Sequence, residues 1–154
     1  RVGSSRLPGH PNQTDFLFCI MEVNCVFCSI VAGQIHVWKV LETETTLAFL
    51  DAHPVGLYHT LIIPKAHYSD IFTVPPEVLA DTMETVRKVS LLYHEKLGLE
   101  NLHIINNSGR LASQSVFHLH FHILPRYPDD GYSLPRITRP DLTDRFEEMI
   151  KALQ

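Results

Sequence analysis

The hydrophobic positions of the chain follow a helical period in one long segment. Between residues 76 and 97, apolar side chains recur every three or four positions, at Leu79, Met83, Val86, Val89, Tyr93 and Leu97. Residues at this spacing share one face of an α-helix. Prolines at 75 and 76 favour a helix start and Gly98 favours its end. The pattern therefore predicts one long helix from Pro76 to Leu97.

Shorter apolar runs on both sides of that helix predict strands. They are Trp38 to Leu41, Thr46 to Leu50, and the stretches "YHTLIIP", "NLHIIN" and "VFHLHFHIL". "CVFCSIVAG" predicts a short helix or turn closed by Gly33. A final helix is indicated by the stripe Leu142, Phe146, Met149, Ile150 and Leu153. Strands, a helix and further strands together predict an α+β fold with an antiparallel sheet of about five strands.

The size and composition of the chain are typical of one globular domain. It has 154 residues, of which 45% are hydrophobic and 19% charged. We expect a single domain over residues 21–154, preceded by a flexible extension over residues 1–20. No apolar run approaches the roughly 20 residues that span a bilayer, so a membrane protein is not expected. The net charge of −4 argues against binding to nucleic acid and leaves room for a small anion site.

The cysteines favour a reducing compartment. Their number, three, is odd, and Cys25 and Cys28 have a spacing that metal and redox centres use and secreted disulfide frameworks do not. A cytoplasmic location is therefore expected. The polar first 20 residues leave an organellar location open, because transit peptides have a similar composition.

Three histidines occupy every second position of the predicted strand "VFHLHFHIL". Side chains alternate across a strand, so His118, His120 and His122 are expected on one face, and the hydrophobic residues from Phe117 to Ile123 on the other. An exposed strand that tolerates histidine explains one such residue better than three. The imidazoles suit metal ligation. They equally suit a nucleophile or general base with neighbours that bind an anion.

The loop before this strand favours anion chemistry. "INNSGRLASQS" combines small residues with hydroxyl groups, and Gly109 permits an unusual backbone angle. Backbone amides and the hydroxyls of Ser113 and Ser115 are suited to holding a phosphate.

These motifs together resemble the histidine-triad (HIT) family. "QSVFHLHFHILPR" is similar to the His-x-His-x-His pattern of that family, "AFLDAHPVGLYHTLIIPKAH" to its second signature, and "CVFCSIVAGQI" to its N-terminal element. The resemblance runs from Cys25 to Arg126 and is strongest to the Hint branch of nucleoside phosphoramidases. It implies an α+β HIT fold, a homodimer whose two sheets join, and a purine nucleotide site on each subunit.

The resemblance also implies a mechanism. His120 matches the family nucleophile, which attacks the α-phosphorus and forms a nucleotidyl-histidine that water then hydrolyses. His122 and Ser115 match residues that contact the phosphate or the leaving group, and His59 matches the fourth active-site histidine. No catalytic metal is required.

Other positions match the nucleotide site of the family. Asp51 matches the acid that holds the ribose hydroxyls, and Asn107 matches an asparagine near the phosphate. Ser113 stands where the family usually has glycine, a difference that bears on the leaving-group preference. The apolar walls around the base match Phe27, Ile30, Ile35, Phe49 and Leu61.

The resemblance gives a specific metal site. Bacterial-type members bind structural zinc at positions that correspond here to Cys25, Cys28, His67 and His118. A redox pair is the alternative for the two cysteines. Two other functions stay open for the whole chain: a nucleotide-binding or zinc-stabilised interaction module with little turnover, and a dinucleoside polyphosphate hydrolase.

Overall fold

Five strands form one antiparallel sheet in the computed structural model, which describes residues 24–133 and 139–154. The strand order is β1-β2-β3-β5-β4, so β1 and β4 are the two edges. The strands are β1 (Lys39–Glu42), β2 (Thr46–Leu50), β3 (Thr60–Pro64), β4 (Leu102–Ile105) and β5 (Phe121–Pro125). The predicted α+β fold with a five-stranded sheet is confirmed. The expected extension over residues 1–20 lies outside the described residues.

Within the described residues, three α-helices accompany the sheet. They are α1 (Val26–Val31), α2 (Pro76–Leu97) and α3 (Phe146–Lys151). Helix α2 has the predicted bounds, and Gly98 ends it in the left-handed region at φ 64°, where glycine has no steric cost. The final helix is shorter than its stripe predicts, because residues 140–145 form a 3₁₀ turn before it.

The sheet separates two hydrophobic clusters. Helix α1 packs on one face, through Cys25, Phe27, Cys28 and Ile30 against Leu47, Phe49, Leu61 and Ile63. Helix α2 packs on the other face, where Val86, Val89 and Tyr93 meet Ala48, Ile62, Leu119, Phe121 and Ile123. Alternate residues of β2 and β3 thus enter different clusters, as the period of a strand requires. The candidate chemistry lies on the α1 face.

The buried face of α2 differs from the predicted stripe. Met83 is 38% exposed and Leu97 is 37% exposed, whereas Thr82 and Thr85 are buried. The threonine hydroxyls donate to the carbonyls of Val78 and Asp81 one turn earlier. Because these polar groups are satisfied within the helix, burying them carries little penalty.

Strand β5 begins later than predicted. Residues 116–120 are irregular, and pairing with β3 runs only from Phe121 to Ile123. Pro64 at the end of β3 has no N–H to donate to a neighbouring strand. Its carbonyl accepts a hydrogen bond from the side chain of His118, through Nε2 at 2.9 Å. The prediction that His118 and His120 lie within a strand is therefore wrong.

No helix within the described residues is long and apolar enough to cross a membrane.

Candidate functional site

The three neighbouring histidines still share one side of the sheet. Leu119, Phe121 and Ile123 enter the α2 cluster, while His118 and His120 contact Phe27 of the α1 cluster. Phe117 departs from the prediction: it is 38% exposed, and the guanidinium of Arg110 lies 5.1 Å from its ring centroid. The side-chain alternation thus begins at His118, although the strand begins at Phe121.

His118 belongs to a group of four potential metal ligands. Cys25, Cys28, His67 and His118 place one ligand atom each within 4.8 Å of the others. Nδ1 of His118 lies 3.5 Å from Cys25 Sγ and 3.7 Å from Cys28 Sγ, and Nδ1 of His67 lies 3.4 Å from Cys28 Sγ. Helix α1 supplies or flanks both thiols, and the histidines come from the segments after β3 and before β5.

The geometry of these four residues fits a tetrahedral zinc ion. Zinc binds sulfur at about 2.3 Å and imidazole nitrogen at about 2.0–2.1 Å, so a tetrahedron has S···N edges of about 3.6 Å. The S···N distances from His118 to both sulfurs and from His67 to Cys28, 3.4 to 3.7 Å, match that edge. His118 Nε2 donates to the carbonyl of Pro64, which leaves the Nδ1 lone pair facing the sulfurs. A fixed second partner of this kind orients metal-binding histidines.

The backbone around His120 fixes the orientation of its ring. Nδ1 donates to the carbonyl of His118 at 2.7 Å, and the carbonyl of His120 accepts from Asn106 Nδ2 at 2.9 Å. His120 is 3% exposed. No buried side-chain nitrogen or oxygen in the described part of the chain lacks a hydrogen-bond partner. Since Nδ1 donates to this carbonyl, Nε2 of the neutral ring is the unprotonated nitrogen.

A chain of hydrogen bonds fixes the tautomers of two more histidines. The Val55 N–H donates to Nδ1 of His59 at 3.2 Å, so this nitrogen is unprotonated. His59 Nε2 therefore carries the hydrogen and donates to Nδ1 of His122 at 2.9 Å. The neutral His122 must then carry its own hydrogen on Nε2. This series of hydrogen bonds from Val55 through His59 to His122, called the relay below, ends at the Nε2–H of His122, which donates to none of these residues.

Asp51 lies beside this relay. Its Oδ2 is 3.4 Å from His59 Nε2, and its Oδ1 accepts the His53 N–H at 2.9 Å. Asp51, His59 and His122 also form a possible metal-ligand group. The 2.9 Å between the two imidazole nitrogens is a hydrogen-bond length, shorter than the roughly 3.3 Å expected between two nitrogens on one tetrahedral zinc. The distances therefore fit a proton relay.

Burial keeps the site histidines neutral at pH 7. Removal from water, together with smaller contributions from the neighbouring His120 and His59, lowers the pKa of His122 to about 4. Burial also lowers the pKa of His120 and of His59, and the negative charge of Asp51 opposes both shifts. A neutral His120 keeps the lone pair that a nucleophile needs.

The loop over residues 107–115 lies next to the histidines. Ser113 has φ 64°, a left-handed conformation that favours glycine. This backbone angle gives a physical reason for glycine at the matching family position. Asn107 Nδ2 donates to the Ser113 carbonyl at 3.5 Å. The side chain of Ser115 is exposed, so its hydroxyl is accessible to a ligand.

Two amides that organise this loop were not predicted as site residues. Gln114 is 5% exposed; its Oε1 accepts the Gly109 N–H at 2.7 Å, and its Nε2 donates to the carbonyl of Ser69. Asn106 holds the backbone of His120. Both lie in the "INNSGRLASQS" stretch, but only the fold reveals which amides of a polar loop turn inward.

Four of the five predicted base-wall residues lie in one buried cluster. Phe27, Ile30, Phe49 and Leu61 pack together on the α1 face. Ile35 is 41% exposed and lies outside this cluster. The structure therefore brings together most of the predicted apolar wall beside the histidines.

Comparisons with known proteins match this architecture. A family model described as the HIT domain matches residues 32–129. The adenosine 5′-monophosphoramidase of Schizosaccharomyces pombe is 41% identical over 112 residues, which cover 73% of this chain and 80% of that protein.

Solved structures agree with the sequence comparisons. A HIT family protein from Bacillus anthracis superposes with a TM-score of 0.78 at 34% identity, over 85% of this chain and 95% of that one. A zinc-bound histidine triad family protein from Mycobacterium smegmatis gives a TM-score of 0.67 at 32% identity, over 84% and 97% of the two chains.

Proposed function

Because this chain belongs to the HIT domain family, we propose that it hydrolyses purine nucleoside 5′-monophosphate derivatives, with phosphoramidates as the first class. Similarity to a protein named adenosine 5′-monophosphoramidase supports a nucleotide hydrolase of this type. The observation that carries the proposal is the pair of ring nitrogens at the site. His120 offers an unprotonated Nε2, and the relay leaves an N–H on Nε2 of His122.

These two nitrogens suit a double displacement at phosphorus. His120 Nε2 forms a bond to the α-phosphorus as the bond to the leaving nitrogen breaks, and the leaving amine takes a proton from His122. The negative phosphate beside His122 favours its protonated ring in the bound state, so the residue can carry that proton. Nδ1 of His122 then no longer accepts from His59, and Asp51 Oδ2, 3.4 Å from His59 Nε2, is the acceptor for that N–H. Water then attacks phosphorus, the bond to His120 breaks, and a proton from the water returns to His122.

The remaining site residues are assigned to binding. Asp51 would accept hydrogen bonds from the ribose hydroxyls, which a carboxylate can do with both oxygens. Asn107, Ser113 and Ser115 would contact the phosphate. The purine would lie against the apolar wall of Phe27, Ile30, Ile35, Phe49 and Leu61.

A cavity beside the relay has room for a leaving group larger than ammonia. It has a volume of about 540 Å³ and is lined by His59, Leu124 and Tyr132 among others. Leu124 is the next residue on the face of β5 that carries His122. The substrate panel should therefore include both small and bulky amines.

An activity panel tests the proposal. We expect release of AMP from adenosine phosphoramidates, and loss of this release in His120→Ala with AMP binding retained. Dinucleoside polyphosphates belong in the same panel. Undiminished turnover by His120→Ala would exclude the mechanism, and absence of any turnover by the wild type would exclude the enzymatic function. His36→Ala, at an exposed histidine whose ring packs against Trp38, is the matched control and should keep wild-type activity.

We also propose that Cys25, Cys28, His67 and His118 bind zinc. Two thiolates and two imidazoles are a donor set that structural zinc prefers, and their distances fit a tetrahedron. The ion would supply a structural cross-link between α1 and the segments after β3 and before β5. Such thiolate ligands suit a reducing compartment such as the cytoplasm. Metal analysis of protein made without a polyhistidine tag should find about one zinc ion per chain; protein that neither retains zinc on purification nor takes it up when zinc is added would contradict the site.

A further inference from the structure

Phe27 connects the candidate metal centre to the proposed nucleophile. It lies in α1 between Cys25 and Cys28, two of the four potential metal ligands. Its ring meets the ring of His118 edge-on at 5.8 Å and the ring of His120 edge-on at 5.3 Å. Phe27 is 6% exposed, so its ring has little freedom to move away. A displacement of α1 would therefore change the packing of Phe27 against the ring of His120.

The backbone of His118 provides a second connection. Its ring nitrogen Nδ1 faces the sulfurs of the metal group, and its carbonyl accepts the hydrogen bond from Nδ1 of His120. The same residue thus contributes a ligand atom to one site and an orienting atom to the other. Both connections converge on the ring of His120.

Helix α1 begins without a side-chain cap in the described part of the chain. It has six residues, and its N-cap, Cys25, makes no capping hydrogen bond through its side chain. Helices this short are marginal without tertiary contacts. Packing of Phe27, Cys28 and Ile30 against the sheet holds the helix, and ligation of a metal by Cys25 and Cys28 would add two fixed points around Phe27.

We propose that metal binding and nucleotide binding are thermodynamically coupled through Phe27, which acts as a positioning residue for His120. The inference rests on the nucleotide site proposed above. The metal ion would favour the position of α1 in which Phe27 packs against His120, and a nucleotide lying against the same apolar wall would favour it as well. Two ligands that favour one arrangement increase each other's affinity by the same factor.

This reciprocity defines the experiment. The affinity of the full chain for zinc is measured by chelator competition with and without AMP, with the weak binding of zinc by AMP itself subtracted. The affinity for AMP is measured for zinc-loaded and zinc-free chain. We expect each ligand to strengthen the other by about 5-fold or more, with equal factors in the two directions.

Two variants separate positioning by Phe27 from a general effect on the helix. Phe27→Leu keeps an apolar side chain and removes the edge-on ring contacts, so we expect its coupling factor to approach one, even if its affinity for each ligand alone is also lower. Val31→Ala is the control, because Val31 packs against the same cluster from the other end of α1. This variant should keep the wild-type factor.

The possible outcomes test three separate claims: the coupling, the role of Phe27 and the proposed function. Equal AMP affinities with and without zinc in the wild type would overturn the coupling and leave the proposed function intact. Coupling that survives in Phe27→Leu, or that disappears equally in Val31→Ala, would overturn the role of Phe27. Failure of AMP to bind either form would contradict the proposed function itself.

Discussion

At the scale of single residues, the neighbours of His118, His120 and His122 determine which ring nitrogen of each imidazole carries the hydrogen. Each site histidine has one ring nitrogen fixed by a partner: a backbone carbonyl for His118 and for His120, and His59 for His122. The partner determines whether the other nitrogen is a lone pair or an N–H. Sequence spacing predicts a shared face for the three rings. It does not predict their tautomers, because two of the three partners, Pro64 and His59, come from distant segments of the chain and the third depends on the local backbone conformation.

The low pKa of His122 makes the stability of the fold sensitive to acid. The pKa is about 4 in the fold and 6.5 in the unfolded chain. Above pH 6.5 the ring is neutral in both states. As the pH falls from 6.5 towards 4, only the unfolded chain gains the proton, so the free energy of unfolding decreases. After allowance for partial exposure, His122 should account for a loss of about 1–2 kcal/mol between pH 7 and pH 5.

Urea unfolding of metal-free protein at a series of pH values measures this loss. We expect His122→Gln to lose less stability than the wild type over the same pH range, whatever its stability at pH 7. His36→Gln is the matched control, because His36 is exposed, and its slope should equal that of the wild type. An unchanged slope in His122→Gln would show that this ring is not held neutral by the fold.

At the scale of elements, local signals decide what the sequence can predict. Helix α2 has the predicted bounds because prolines and a glycine at its ends act on the adjacent backbone. The predicted start of β5 is five residues too early. The backbone at residues 118–120 forms its hydrogen bonds with Tyr68, with Asn106 and with the ring of His120, and not with a neighbouring strand. Those partners are set by tertiary structure, which a hydrophobic pattern does not contain.

The contact between α2 and β3 includes a buried polar pair next to the relay. Thr60 directly follows His59, and its hydroxyl donates to the carbonyl of Tyr58 at 2.8 Å. The hydroxyl of Tyr93 must therefore donate to Thr60 Oγ1, at 2.7 Å. Tyr93→Phe removes one donor and leaves a buried acceptor with one partner fewer. We expect a loss of about 1 kcal/mol in the free energy of unfolding.

Urea titration at neutral pH measures this change. Tyr58→Phe is the matched control, because it removes a hydroxyl from a tyrosine that is 43% exposed and packs beside Tyr93. It should change stability by no more than about 0.5 kcal/mol. Equal losses in the two variants would mean that the buried hydrogen bond contributes nothing specific.

At the scale of the whole molecule, the two edges of the sheet differ in character. Edge strand β1 carries Lys39 and Glu42, which form an ion pair at 2.6 Å. Charged side chains of this kind discourage pairing with another strand. Edge strand β4 reads Leu-His-Ile-Ile, and its Ile104 is 46% exposed. An apolar edge with unpaired backbone groups is suited to pairing with a second strand.

We therefore expect a homodimer in which two copies of β4 pair and the two sheets become one. Ile104→Glu places a charge on that edge and should shift the protein towards monomer, because a carboxylate at the junction would be desolvated. Lys39→Glu adds negative charge to the edge at β1 and should leave the dimer intact. Sedimentation velocity at several protein concentrations distinguishes the states. A wild type that stays monomeric would contradict the dimer, and a dimer equally stable in both variants would place the interface on another surface.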